Sequence, residues 1–213
     1  MKESKAVVAI LGGTGGLGTG LARRWAEAGY QIIIGSRTQE KAEAAAQELR
    51  ELMQARGVGD VVVVAMDNVS AAQAADIAAL TVPFAHHADT LASVKDALQG
   101  KILIDVTVPL VPPKVARVQL PAEGSAGQIA QNILGEGVSV VSAFQNVAAV
   151  HLQDGQGMEC DVLVCGDNKE ARAKVIELVE AAGLRGFHAG SIANAAAVEA
   201  MTSLLIFINK QYK

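Results

Sequence analysis

Apolar and polar residues follow one another along this chain in blocks, and the blocks repeat. Residues 6–11 form an apolar, β-branched run; a glycine cluster follows, then a helical pattern over residues 19–28 that Gly29 can stop. A second apolar run covers 31–34. Residues 38–56 are rich in Ala, Glu, Gln and Lys, all strong helix formers, and end at Gly57 and Gly59. Residues 61–65 are continuously apolar, as a strand buried on both faces should be. The pattern then predicts a short helix at 70–75, a strand at 77–82 stopped by Pro83, and a helix at 89–98 ended by Gly100. A strand at 101–108, a helix at 125–134 capped by Ser125 and a strand at 138–144 complete the series. Strand and helix alternating at these lengths indicate an α/β fold, a doubly wound parallel sheet of the Rossmann type.

The remainder is smaller. Residues 162–166 read as a strand, and 169–182 as an amphipathic helix with Val175, Leu178 and Val179 on one stripe. Residues 184–188 read as extended, and 191–209 as an apolar, Ala-rich helix. Topology places a boundary near Gln145, giving a dinucleotide-binding domain over 1–145 and a smaller C-terminal part over 146–213.

Between the first strand and the first helix, Gly13, Gly15 and Gly18 satisfy G-x-G-x-x-G in the context that this motif requires. Gly13 permits the tight turn, Gly15 lets the backbone approach a pyrophosphate, and Gly18 lets helix and strand pack closely. The diphosphate would sit on the free N–H groups and positive dipole end of the helix. A NAD site would carry an acidic residue at the end of the second strand. Here Gly35 is followed by Ser36 and Arg37, with Lys41 one helical turn later. A 2′-phosphate needs such donors: a guanidinium fork, a point charge and a hydroxyl. Basic side chains at a helix N-terminus oppose the dipole, a penalty that a bound phosphate removes. The expected cofactor is NADP(H). Thr14 at the loop tip lies on the same side. Thr81, Val82, Pro83 and Phe84, at the carboxyl end of the fourth strand, are candidate walls of the nicotinamide side.

Composition narrows the alternatives. Of 213 residues 51% are hydrophobic and 19% charged, which suits a packed core and excludes disorder. The net charge of −4 and 3% aromatic content give no support for nucleic-acid binding. The longest apolar stretch, 195–208, is interrupted by Glu199, Thr202 and Ser203, so no membrane span is expected. The N-terminus leads straight into a strand without a signal-peptide pattern. Cys160 and Cys165 lie on opposite faces of a predicted strand, which disfavours a disulfide or metal site. Two buried, reduced thiols fit the cytoplasm.

No catalytic constellation emerges. The only tyrosines are Tyr30 and Tyr212, so the Tyr-x-x-x-Lys pair of short-chain dehydrogenases is missing. His86 and His87 stand near the crevice and could supply a general acid, but read more simply as a polar pair at a helix start. His151 and His188 form no ligand spacing, so no metal site is expected. A dinucleotide site without an acid or base suggests hydride transfer between two carriers, with the protein supplying alignment and dryness.

The ordered motifs also carry a resemblance. Residues 10–18, Gly35-Ser36-Arg37 with Lys41, Leu80-Thr81-Val82-Pro83, Pro109-Leu110-Val111-Pro112, 140–144, Val164-Cys165-Gly166-Asp167 and Glu199-Ala200-Met201-Thr202 fall in order along nearly the whole chain. Together this set resembles the NADPH:coenzyme F420 oxidoreductase family. The resemblance implies reversible hydride transfer between NADP(H) and a deazaflavin, coenzyme F420, in a homodimer. By matching positions, Thr14, Gly15, Gly16, Leu17, Ser36, Arg37 and Lys41 would hold NADP, with Val82, Val111 and Ala149 along it. Thr202 and Ile206 would border the deazaflavin. Some members carry a histidine where this chain has Gln145-Asn146, so no role of that histidine carries over. Members also run on past the position of Lys213 in a short glycine-containing tail. The alternatives are reduction of a flavin or a small carbonyl or imine by NADPH, and a non-catalytic NADPH-sensing module.

Overall fold

In the computed structural model, which describes residues 5–153 and 159–212, the apolar runs become six strands. They are β1 (Val7–Leu11), β2 (Gln31–Ser36), β3 (Val63–Asp67), β4 (Ile77–Leu80), β5 (Ile102–Asp105) and β6 (Ser139–Ser142). All pair in parallel, in the order β3-β2-β1-β4-β5-β6. The direction of winding reverses between β1 and β4, and a crevice opens at their carboxyl ends. Strands β4 to β6 stop at Leu80, Asp105 and Ser142, short of the expected ends, because those three residues are the last to find partners in register.

The connecting helices are α1 (Gly16–Glu27), α2 (Gln39–Ala55), α3 (Asn68–Ala74), α4 (His87–Val94) and α5 (Ala126–Leu134). Helix α1 begins three residues before the expected Thr19. Extended Gly15 (φ −87°, ψ 161°) serves as its N-cap, so the helix opens inside the glycine cluster. Helix α3 also starts early, because the Asp67 carboxylate accepts from the N–H groups of Val69 and Ser70. Helix α4 is shorter than its pattern, lying between the 3-10 turns Phe84–His86 and Asp96–Leu98. The Ser125 cap of α5 forms as expected, accepting from Gln128 N at 2.9 Å.

The C-terminal part holds α6 (Ala149–Gln153), β7 (Asp161–Val164), α7 (Lys169–Ala181), β8 (Arg185–His188) and α8 (Ala195–Gln211). Helix α6 was not expected from the sequence pattern. Strands β7 and β8 pair in parallel, and Cys165 bridges to Ser142 at the end of β6. One apolar cluster joins Ile10, Trp25 and Val141 with Val164, Val175 and Leu178. Trp25 donates its indole N–H to Leu178 O at 2.8 Å and meets Phe144 edge-to-face at 6.0 Å. Both cysteines are free, as expected, but only Cys165 is fully buried; Cys160 is half-buried. Burial pushes the Cys165 thiol up to about 11.

The last segment departs from expectation. Ile192–Gln211, with mean hydropathy 1.5, is long and apolar enough by length and composition to cross a bilayer. The 3-10 turn Ile192–Asn194 runs directly into α8 and lengthens the apolar stretch. Ala195, Val198, Glu199 and Ser203 of α8 face inward, while Leu204, Phe207 and Ile208 are exposed.

Candidate functional site

The site grows from the turn between β1 and α1. Gly12 takes φ 72°, the left-handed conformation the turn demands, and its N–H donates to Asn68 Oδ1 at 3.2 Å. A Cβ on Gly12 would lie 2.4 Å from Val82 Cγ1. Gly13 N donates to Gly35 O at 3.0 Å, and a Cβ there would lie 2.8 Å from Ile10 O. A Cβ on Gly15 would meet nothing within 4 Å. On Gly18 it would lie 2.7 Å from Thr81 Oγ1 and 3.0 Å from Gly13 Cα. The space is therefore open at Gly15 and closely packed at Gly18. The turn itself is shared, with the positive φ at Gly12 rather than Gly13.

A cavity of about 300 Å³ opens beyond this turn. Thr14 and Gly15 form its floor, beside the first turn of α1, which carries no acidic side chain and no side-chain cap. The positive end of that helix thus faces the cavity. Ser36, Arg37, Thr38 and Lys41 line one side. Arg37 and Lys41 are exposed and form no salt bridge among the described residues. Asp67, the acid paired with Ser36 in register, is occupied at the start of α3. Its bonds to Ser70 hold its carboxyl below the usual range.

Thr81, Val82, Pro83, His86 and Thr90 line the other side. His86 and His87 are not the pair that their adjacency suggests. His86 is exposed at the cavity edge, whereas His87 turns inward, 1% exposed, with Nε2 2.7 Å from Asp105 Oδ2. Asp105, Asn68 and Gly12 were not evident as site residues. Asn68 had no motif to mark it.

Several expected residues lie outside this cavity. Gly16 and Leu17 stand on the first turn of α1, and Gly13 packs beneath the turn. Ala149, on α6, faces Gly16, where a Cβ would lie 3.7 Å from the Ala149 Cβ. Val111 is exposed on the loop after β5. Thr202 and Ile206 are half-buried on α8, and Thr202 Oγ1 donates to Gln145 O at 3.0 Å. Glu199, one turn earlier, accepts from Ala126 N (2.7 Å) and Gly127 N (3.1 Å) at the start of α5. Burial pushes its carboxyl up to about 7. Among the described residues no cluster of three His, Cys, Asp or Glu side chains could hold a metal.

Comparison with known proteins fits this geometry. Residues 7–109 match the family described as NADP oxidoreductase, coenzyme F420-dependent. The chain is 40% identical to the F420-dependent NADP reductase of Methanocaldococcus jannaschii over 211 residues, 97% of this chain and 93% of that protein. Its identity to the F420-dependent NADP reductase of Methanothermobacter marburgensis is 41% over 208 residues, 95% and 92% of the two chains. A hypothetical protein from Sinorhizobium meliloti shares the fold, with TM-score 0.73, 24% identity, and coverage of 92% of this chain and 90% of that one. The chain belongs to the coenzyme F420-dependent NADP oxidoreductase family.

Proposed function

We propose that this protein transfers a hydride reversibly between NADP(H) and the deazaflavin coenzyme F420. The observation that carries the reading is the cavity, which joins an open glycine floor to two cations that have no anionic partner among the described residues. These features fit a dinucleotide with a 2′-phosphate. Gly15 and the N–H groups of Gly16 and Leu17 would receive the pyrophosphate, beside Thr14. Ser36, Arg37 and Lys41 would bind the 2′-phosphate through charge-assisted bonds. Val82 and Pro83 would wall the nicotinamide, with Val111 and Ala149 further along the dinucleotide. Thr202 and Ile206 would border the deazaflavin, so the 146–213 part would serve the second coenzyme and the 1–145 part the first.

When bound, the two coenzymes supply the redox chemistry, one giving the hydride and the other accepting it. The chain's own residues orient the rings and exclude water, and no side chain is needed as a metal ligand or nucleophile. The names of the curated relatives favour this acceptor over a flavin, a carbonyl or imine, and over a sensing role. The test is to add NADPH to protein and coenzyme F420 and follow the visible absorbance of the deazaflavin. Catalytic bleaching, reversed by NADP, is expected. Binding of NADPH without turnover would leave the sensing module instead. The two free thiols support a cytoplasmic setting. The exposed Leu204, Phe207 and Ile208 support a homodimer packed through α8, which sedimentation equilibrium checks.

A further inference from the structure

We propose that His87 and Asp105 are positioning residues that set the spacing between the two ring sites. This rests on the function proposed above.

The argument begins at the loop after β4. Val82, Pro83 and His86 line the cavity, and the next residue, His87, points the opposite way into the protein. Its Nε2 lies 2.7 Å from Asp105 Oδ2, where β5 ends. Asp105 is wholly buried, and its other oxygen accepts from Thr107 N at 3.0 Å, holding the loop that leads on to Val111. The backbone carbonyl of Asp105 accepts from Gln145 Nε2 at 2.9 Å. The backbone carbonyl of Gln145 in turn accepts from Thr202 Oγ1 on α8 at 3.0 Å. One line of hydrogen bonds therefore crosses the carboxyl ends of β4, β5 and β6. It joins the wall of the dinucleotide cavity to the helix assigned to the deazaflavin.

Two features indicate that this line does more than stabilise the core. The first is its incomplete satisfaction: His87 Nδ1, Thr107 Oγ1 and Gln145 Oε1 are buried without a partner among the described residues. A buried polar pair is weak evidence for stability, since apolar residues of similar volume often serve as well or better. The second is backbone strain. Phe144, buried and not glycine, takes φ 72° just before Gln145. That turn lets the Gln145 side chain return to β5 while its carbonyl faces α8. Such strain is maintained only where surrounding structure over-determines it, as in a site whose geometry matters. Hydride transfer is such a case, because a misplacement of about 1 Å can cost roughly 100-fold in rate.

The test uses the double variant His87→Leu/Asp105→Asn, which breaks the line without leaving a buried charge unpaired, beside His87→Gln, which keeps a donor of similar reach. NADPH affinity is read by fluorescence titration. Single-turnover transfer from 4-deuterated and unlabelled NADPH to coenzyme F420 is followed over a range of temperatures. The double variant is expected to bind NADPH within about threefold of the parent protein. Its transfer rate should be about 30- to 100-fold slower, as expected of a sub-ångström to ångström displacement. Its isotope effect should become more temperature-dependent, the mark of a looser donor–acceptor distance, and His87→Gln should recover most of the rate. A folded double variant that transfers within threefold of the parent would overturn the inference. So would a rate loss matched by an equal loss of affinity. Should the double variant not fold, Thr202→Val breaks the line at its far end, and an unchanged isotope effect there overturns the inference equally. The parent protein separates the two ideas: no transfer to coenzyme F420 refutes the function, and this inference falls with it.

Discussion

Two neighbouring glycines should fail in opposite ways when replaced. Gly12 has φ 72°, and a Cβ there would overlap Val82 Cγ1 at 2.4 Å. Gly12→Ala thus forces a left-handed conformation, costing about 1–2 kcal/mol, and overpacks a tight contact, costing about 1–3 kcal/mol. Together these lower Tm by roughly 4–20 °C for a chain of this length. Gly15 is extended and has nothing within 4 Å of its would-be Cβ, so even Gly15→Val costs the fold about 1 kcal/mol at most, the lost preference at an N-cap. What it blocks is the approach of a pyrophosphate. Losing two hydrogen bonds to a charged group, about 1.5–3 kcal/mol each, weakens NADPH binding by at least about 100-fold. Thermal melting and fluorescence titration of both variants make the assay. Gly15→Val that binds NADPH normally, or Gly12→Ala that melts within about 2 °C of the parent protein, would show that the turn has been misread.

Arg37→Ala should weaken NADPH binding by about 10- to 150-fold, the equivalent of about 1.5–3 kcal/mol, and leave NADH binding unchanged; equal losses for both would remove Arg37 from the 2′-phosphate. Lys41→Ala should act in the same direction more weakly, with an effect that fades at high salt. The buried Glu199 makes stability depend on pH. Its carboxyl is protonated in both states below about 4.5, and between 4.5 and about 7 only the folded chain keeps the proton. Stability from this group therefore falls as pH rises through that window, by about 3 kcal/mol, and is level above it. Denaturant titrations at a series of pH values should show the slope in the parent protein and lose it in Glu199→Gln; an identical slope in both would assign it elsewhere.

The main sheet was legible because its signal is local. A β-branched run, a glycine stop and a helical period each act within a dozen residues, and the parallel order follows from the alternation. The ends were harder. Where β4 and β5 stop depends on the register between Leu80, Asp105 and Ser142, and no single strand contains that information. The lack of room for a Cβ at Gly12 likewise comes from Val82, seventy residues away. Helix α6 has its place set by packing against α1, where Gly20 admits Leu152.

The buried polar residues teach something different, because their half of the signal was present. In α4 the buried positions are His87, Thr90, Leu91 and Val94, a stripe with spacings of three and four. In α8 they are Ala195, Val198, Glu199 and Ser203, spaced in the same way. A titratable residue on the apolar stripe of a helix must be buried, and burial without a partner is costly enough to demand one. Each stripe thus announces that a partner exists. Neither says where it lies. Asp105 is 18 residues from His87, and the amides of Ala126 and Gly127 are 73 and 72 residues from Glu199. The helical period identifies which polar side chains the fold must satisfy, and only the strand order determines what satisfies them. Both partners lie at the carboxyl edge of the sheet or against it, where parallel strands leave loop backbone and side chains beside the coenzymes. The residues that sequence patterns leave least explained therefore collect where the chemistry is assigned.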